Sequence, residues 1–316
     1  MGVEIKSFAI QQADCFLIKI EESEKYFNLL VDCGKKGLQG AINDELGDKV
    51  LNGVVVTHVD SDHISGIIDL LEKNQNNIIN DKTFFLYNKY DESLISYEQG
   101  RKLYEQIKQY NHNKLLIKSY AGSYYKENEV IKRRSKKTDL PVRLLSLTQR
   151  SLIERKSLEK DAVYITMLSP DISILKNFMR KWSIDRKSAE YQNRSSIVFL
   201  LEFNEKSILM LGDAMVADVE KHLKLIKGLE KIDYIKISHH GAKDSNKGLA
   251  NIASKYHCNK TVVTIKEAQE YEKTHPSRDL IEELKSAGCN IYTSTEYTYT
   301  GLDAVSRIEI NDRITV

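Results

Sequence analysis

Four residues able to hold a cation fall within six positions of this chain: His58, Asp60, Asp62 and His63. They follow directly on Val54-Val55-Val56-Thr57, a β-branched run that predicts a buried strand. In extended backbone residues i and i+2 point the same way, so His58 and Asp60 converge on one ion. Asp62 and His63 stand at the turn into the next helix and can converge on a second. Strand ends and helix starts are rigid mounts, which ligand geometry needs. The chemistry open to such a pair is hydrolysis. Divalent metals lower the pKa of bound water from 15.7 toward ~7, and a two-metal pair suits in-line attack on a phosphodiester. Taken alone, the segment could also be a polar loop whose Asp62 caps the following helix.

Two further clusters stand at strand ends. Gly212-Asp213 closes the apolar run Ile208–Leu211, and His239-His240-Gly241 closes Tyr234–Ser238. His275-Pro276 stands at the start of a predicted helix. Five of the eight histidines thus fall at strand–helix junctions, where open α/β sheets build their sites. Asp213 could bridge two metals or serve only as a helix N-cap. What favours a site is joint occurrence: each cluster follows an apolar strand and precedes a helix. No Ser-His-Asp order, Walker loop or Gly-x-Gly-x-x-Gly is present.

The elements that must carry these residues are legible from their periodicity. Val3–Ile10, Cys15–Ile20 and Tyr26–Val31 predict a three-stranded meander. Ile64–Lys73 has helical spacing and Thr83–Tyr87 reads as a strand. Asp91–Tyr110 predicts a polar helix, Leu115–Ser119 a strand, and Glu127–Asp139 an exposed excursion. That excursion carries Lys132-Arg133-Arg134 and Lys136-Lys137, a solvated loop or a phosphate-contacting arm. Val163–Leu168 is a strand, and Pro170 starts a helix expected to run to about Glu190. Ser196–Phe203 and Ser207–Leu211 form a hairpin around Asn204-Glu205, followed by a helix from Met215 to Lys227. Strand and helix then alternate: Tyr234–Ile237, Asn246–Lys255, Thr261–Ile265, Pro276–Ala287 and Asn290–Thr293. The pattern is α/β, with two facing sheets and helices outside.

Composition bounds the rest. With 41% hydrophobic and 29% charged residues, the 316-residue chain is typical of a soluble globular protein. The longest apolar runs, such as Ile197–Leu201, fall far short of the roughly twenty residues a spanning helix needs. Met1–Ile10 lacks the pattern of a secretory signal. Cys15, Cys33, Cys258 and Cys289 have no Cys-x-x-Cys spacing and read as free thiols. These features predict a cytoplasmic protein with no membrane partner. A net charge of +2 neither demands nor excludes nucleic acid.

His58-x-Asp60-x-Asp62-His63 resembles the His-x-His-x-Asp-His motif of the metallo-β-lactamase superfamily. It is closest to the ComEC-like branch, the hydrolase domain at the C-terminus of competence proteins and its stand-alone relatives. Phe8–Leu17, Leu30–Gly34, Asn193–Val198, Leu211–Asp213, Ser238–Ala242, Thr274–Ser277 and Gly288–Tyr292 resemble that branch's other motifs. Gln11, Ala13, Ser65 and Ala242 depart from it at loop positions. The resemblance implies an αββα four-layer sandwich over 1–316 as a single domain, with a divergent insertion at about 88–162. It implies two divalent metal ions, zinc or manganese. Where the wider superfamily places another histidine, Asn193 stands, and the oxygen-rich ligation of His58, Asp60 and Asp213 tilts toward manganese.

The expected ligand sets are His58 and Asp60 on one ion, and Asp62, His63 and His239 on the other, with Asp213 bridging and His240 as the close alternative to His239. Asp62, His275 and Asn193 are the expected catalytic residues. His275 would donate to a phosphate or leaving group, or only cap its helix. Asp14 and Asp32 would orient ligand imidazoles or merely form turns. The expected activity is a phosphodiesterase or nuclease using a two-metal-activated hydroxide, in bacterial defence or nucleic-acid processing. A hydrolase of small esters, lactones or thioesters is the alternative, and a non-catalytic scaffold the third.

Overall fold

The computed structural model describes residues 2–8, 13–73, 77–80, 83–88, 98–110, 116–118, 139–182, 189–264, 275–293, 303–304 and 307–309. Among them run β1 Gly2–Ser7, β2 Phe16–Glu22, β3 Lys25–Val31, α1 Gln39–Leu46, β4 Gly53–Val55, α2 Ser61–Lys73 and β5 Phe84–Tyr87. Then come α3 Glu98–Tyr110, β6 Leu116–Lys118, β7 Val142–Ser146, α4 Leu147–Ser151, β8 Val163–Ser169, α5 Ile172–Trp182 and α6 Ala189–Arg194. The hairpin β9 Val198–Phe203 and β10 Lys206–Met210 leads to α7 Val216–Leu223, β11 Tyr234–Lys236, α8 Leu249–Lys255 and β12 Lys260–Val263. Last are α9 Arg278–Ser286, β13 Asn290–Thr293, β14 Asp303–Ala304 and β15 Arg307–Glu309.

The strands form two sheets, in the orders β15-β1-β2-β3-β4-β5-β6 and β14-β13-β12-β11-β10-β9-β8-β7. Strand alternation builds the layers. In β9, Phe199, Leu201 and Phe203 join the core shared by both sheets, which also holds Ile5, Ile18 and Leu29. Val198 and Leu200 face the other way, against Val219, Leu223, Leu249 and Leu284 from α7, α8 and α9. On the outside of the first sheet, Leu17, Leu30 and Val54 pack against Ile42 of α1, Ile64 and Ile67 of α2 and Leu103 of α3. The result is the expected helix–sheet–sheet–helix sandwich.

Several expected boundaries shift. Of the long helix expected from Pro170, α5 and α6 are described, and residues 183–188 lie outside the described set. The stretch 88–162 supplies β6 to one sheet and β7 to the other. The basic segment Lys132–Lys137, Gln11 and Thr274 lie outside the described residues. Among the described residues no helix is long and apolar enough to cross a membrane.

Candidate metal centre

Strand β4 ends two residues before Thr57, and the chain runs through His58 and Asp60 into α2. Three loops are laced together here. The Asp14 N–H donates to the Asp62 carbonyl (3.0 Å), the Gly34 N–H to the Asp14 carbonyl (3.0 Å), and the Cys33 N–H to the His63 carbonyl (2.8 Å). Gly34 must be glycine: a Cβ there would lie 1.7 Å from the Asp62 carbonyl oxygen. The second sheet brings Asp213 from the end of β10 and His239–Gly241, a single 3₁₀ turn, from the end of β11. Met215 is the cap residue of α7, so Asp213 is not spent on that role.

The side chains meet as two groups around Asp213. Asp213 Oδ1 lies 3.5 Å from His63 Nε2, while Oδ2 lies 3.9 Å from His58 Nε2 and 4.0 Å from His239 Nε2. His58 Nε2 is 3.6 Å from Asp60 Oδ2, and His240 Nε2 is 3.4 Å from Asp62 Oδ2. Ligand atoms of His58, His63 and Asp213 lie within 4.8 Å of one another, as do those of Asp62, His63 and His240. His240, not His239, therefore joins Asp62 and His63. Strand alternation stops counting beyond Lys236, because His239 and His240 both take positive φ (44° and 50°) and the turn swings the second ring inward. His239 instead stands on the His58 side of Asp213, its Nε2 4.0 Å from Oδ2.

The donors' protonation pattern is set by their outer partners. The Thr57 N–H and hydroxyl both donate to Asp32 (2.7 Å each), and His63 Nδ1 lies 2.8 Å from the same carboxylate. A carboxylate only accepts, so His63 carries its proton on Nδ1. The Thr57 oxygen, having given its proton to Asp32, accepts from His58 Nδ1 at 3.2 Å. Thr264 donates to Asp14 Oδ1 at 2.5 Å and so accepts from His240 Nδ1 at 2.8 Å. His58 and His63 thus turn Nε2 toward Asp213, and His240 turns Nε2 toward Asp62. His58 Nε2, His63 Nε2, His240 Nε2 and Asp213 Oδ1 are buried without a hydrogen-bond partner among the described residues. Buried donors and acceptors are seldom left unmet, and this set of imidazoles and carboxylates fits divalent cations. The floor is dry while the lip is open: side-chain exposure is 0–4% for His58, His63, His240 and Asp213 but 32% and 37% for Asp60 and Asp62.

Asp32 thus holds the His63 ring directly. Asp14 holds the His240 ring only through Thr264, and it also pairs with the ammonium of Lys236. Asn193 sits beside the centre, its amide 3.3 Å from His239 Nε2. His275 places its ring edge-on to His239 with centroids 5.2 Å apart, and α9 begins after Ser277, so His275 does not cap it. Sequence reading missed Thr57, Ser196, Thr264 and Lys236. Only the last left a signal, a lone charge inside Tyr-Ile-Lys-Ile.

The titration behaviour follows. Burial would lower the pKa of His63, yet Asp213 and Asp32 hold it well above its ordinary value. Burial likewise opposes but does not prevent a raised pKa at His240, where Asp62 is the largest stabilising partner. Raised folded-state values mean that both rings stabilise the metal-free protein fully below about pH 6.5. That contribution fades as pH rises through the folded values. A cation must displace the same protons. The melting-temperature gap between metal-loaded and chelator-treated protein is therefore expected to widen from pH 6 to pH 8; a constant or shrinking gap contradicts this. Asp32→Asn is expected to weaken metal affinity about 10- to 100-fold by loosening His63, which competition against a chromogenic chelator measures.

The metallo-beta-lactamase superfamily profile matches residues 10–145, which include His58 to His63. No curated protein matches the chain by sequence. Among solved structures, the metallo-beta-lactamase fold protein YhfI from Bacillus subtilis aligns at 10% identity and a TM-score of 0.50, over 98% of this chain and all of that one. CmlA, a diiron beta-hydroxylase from Streptomyces venezuelae, aligns at 12% identity and a TM-score of 0.50, over 97% of this chain. The chain spans about half of CmlA, 54% of its length. The chain has the metallo-β-lactamase fold, and that fold together with the profile match supports its place in the metallo-beta-lactamase superfamily.

Proposed function

We propose that the protein is a metal-dependent hydrolase that cleaves phosphodiesters, with nucleic acid as the first substrate class. The observation that carries this reading is Asp213, whose two oxygens face two different sets of donors. His58, Asp60 and His239 would hold one divalent cation, and Asp62, His63 and His240 the other, with Asp213 shared. When bound, such a pair supplies water activated near neutral pH and positive charge for the developing oxyanion.

The chain's own residues do the rest. Asp32 and Thr57 fix His63, Thr264 fixes His240, and Ser196, whose hydroxyl lies 3.2 Å from His58 Nδ1, helps fix His58. Fixed rings mean that no reorganisation is needed when charge develops. The open lip formed by Asp60, Asp62 and His239 leaves room for a substrate phosphate. Asn193 and His275 flank that lip beside His239, where an amide and an imidazole can donate to a phosphate oxygen or a leaving group. Phosphodiester cleavage is favoured by the resemblance of residues 8–17, 30–34, 193–198 and 238–242 to the ComEC-like branch.

Purified protein supplied with manganese, zinc or iron is to be tested on DNA, RNA and a chromogenic phosphodiester, alongside a lactone, a thioester and a carboxylic ester. Cleavage of a phosphodiester substrate is expected. Turnover confined to the ester, lactone or thioester would replace the substrate assignment, and no turnover with two metals bound would favour a scaffold.

A further inference from the structure

Strand β11 is apolar on both faces except at Lys236. Its neighbour on the same face, Tyr234, belongs to the core between the sheets, and Ile235 and Ile237 point into the opposite layer. Lys236 therefore points inward between the sheets, at the edge that carries the metal centre, and is only 1% exposed. A buried ammonium is costly unless paired. Lys236 is paired with Asp14, donates to the Gly212 carbonyl at 3.0 Å, and stands 3.6 Å from Asp213 Oδ1.

Its place matters because of the company it keeps. Asp60, Asp62 and Asp213 face the candidate cations, and Asp14 and Asp32 stand directly behind the rings. Five carboxylates against one ammonium leave four negative charges, which is the charge that two divalent cations neutralise. Without the ammonium the loaded centre would carry a net negative charge and repel an anionic substrate.

We propose that Lys236 is a positioning and charge-balancing residue of this centre: a built-in cation that keeps the two-metal site neutral and so admits an anionic phosphate group. The assignment rests on the two-cation reading above. Lys236 touches no substrate. It acts through Asp14 and Asp213, and its effect falls on anion affinity rather than on the number of metals held.

The test uses inorganic phosphate as the probe, titrated calorimetrically into protein holding two manganese or zinc ions, with metal content measured on the same samples. If the wild type does not hold two ions, the functional reading itself fails. Given a two-metal wild type, Lys236→Met is expected to keep two ions and to weaken phosphate binding by about tenfold or more, since a unit charge is felt strongly in a partly desolvated site. Asp14→Asn, which removes one negative charge and keeps an acceptor for Thr264, is expected to tighten it. The Lys236→Met/Asp14→Asn double variant restores neutrality and is expected to return close to wild-type affinity, a rescue that a purely structural lysine would not give. Unchanged phosphate affinity in a two-metal Lys236→Met protein overturns the proposal. So does loss of a metal in that variant, or a double variant weaker than Lys236→Met alone. If Lys236→Met does not fold, Asp14→Asn decides: unchanged or weaker phosphate binding overturns the assignment.

Discussion

Asp213→Asn is expected to reduce kcat/KM by about a thousandfold or more, because metal-supplied charge stabilisation is worth several kcal/mol and each 1.36 kcal/mol is tenfold. The amide keeps the size of the side chain but gives up the charge that both donor groups share. Oδ1 serves the His63 side and Oδ2 the His58 and His239 side, so one substitution weakens both positions. Metal content should fall below two per chain, while folding is preserved because Lys236 keeps Asp14 as its partner. Asp60→Asn should cost less, since Asp60 is half-exposed and faces only His58 among the donors. Steady-state kinetics with metal analysis on the same samples checks both. An Asp213→Asn enzyme with wild-type turnover would remove this carboxylate from the mechanism.

Glu202→Ala is expected to destabilise the protein by about 3–5 kcal/mol, the usual consequence of leaving a buried charge uncompensated. Arg150 and Glu202 are both fully buried and form a bidentate pair, Nε to Oε2 at 2.7 Å and Nη2 to Oε1 at 2.9 Å. The same guanidinium donates to the Ile153 carbonyl at 2.7 Å and the Lys227 carbonyl at 3.3 Å, tying α4 to the loop after α7. Removing the carboxylate strands that guanidinium and takes from Arg155 a carboxylate oxygen 3.7 Å away. Replacing both partners with methionine should recover most of the loss, because a filled apolar site carries no desolvation penalty. Urea midpoints measure the effect. A loss under about 1 kcal/mol for Glu202→Ala contradicts the claim that the pair is desolvated.

The centre was readable in the sequence where chemistry and local geometry coincide. His58, Asp60, Asp62 and His63 lie on one strand-to-helix junction, so their convergence follows from backbone alone. Asp213 was readable as a candidate bridge, but the sequence could not separate that role from a helix cap. The structure removes the cap reading, because Met215 caps α7. His239 and His240 were not separable, because the choice depends on positive φ angles in a turn that closes on Gly241. A Cβ at Gly241 would lie 2.6 Å from Pro276, so the turn's geometry is a tertiary matter. Thr57 and Thr264 look like any β-branched residue at a strand end, and their role appears only once Asp32 and Asp14 arrive from other strands. Helix α1 was missed because Gln39–Leu46 buries only Gln39, Ile42 and Leu46, too sparse a stripe to show as periodicity. The pairing of β15 with β1 links residues some three hundred positions apart, which no local pattern encodes.

Anomalous diffraction from crystals grown with manganese or zinc tests the central claim most directly. Two peaks flanking Asp213 are expected, one beside Asp62, His63 and His240, the other beside His58, Asp60 and His239. A map with no peak at Asp213, or with the three Nε2 atoms hydrogen-bonded to protein groups instead, would contradict it.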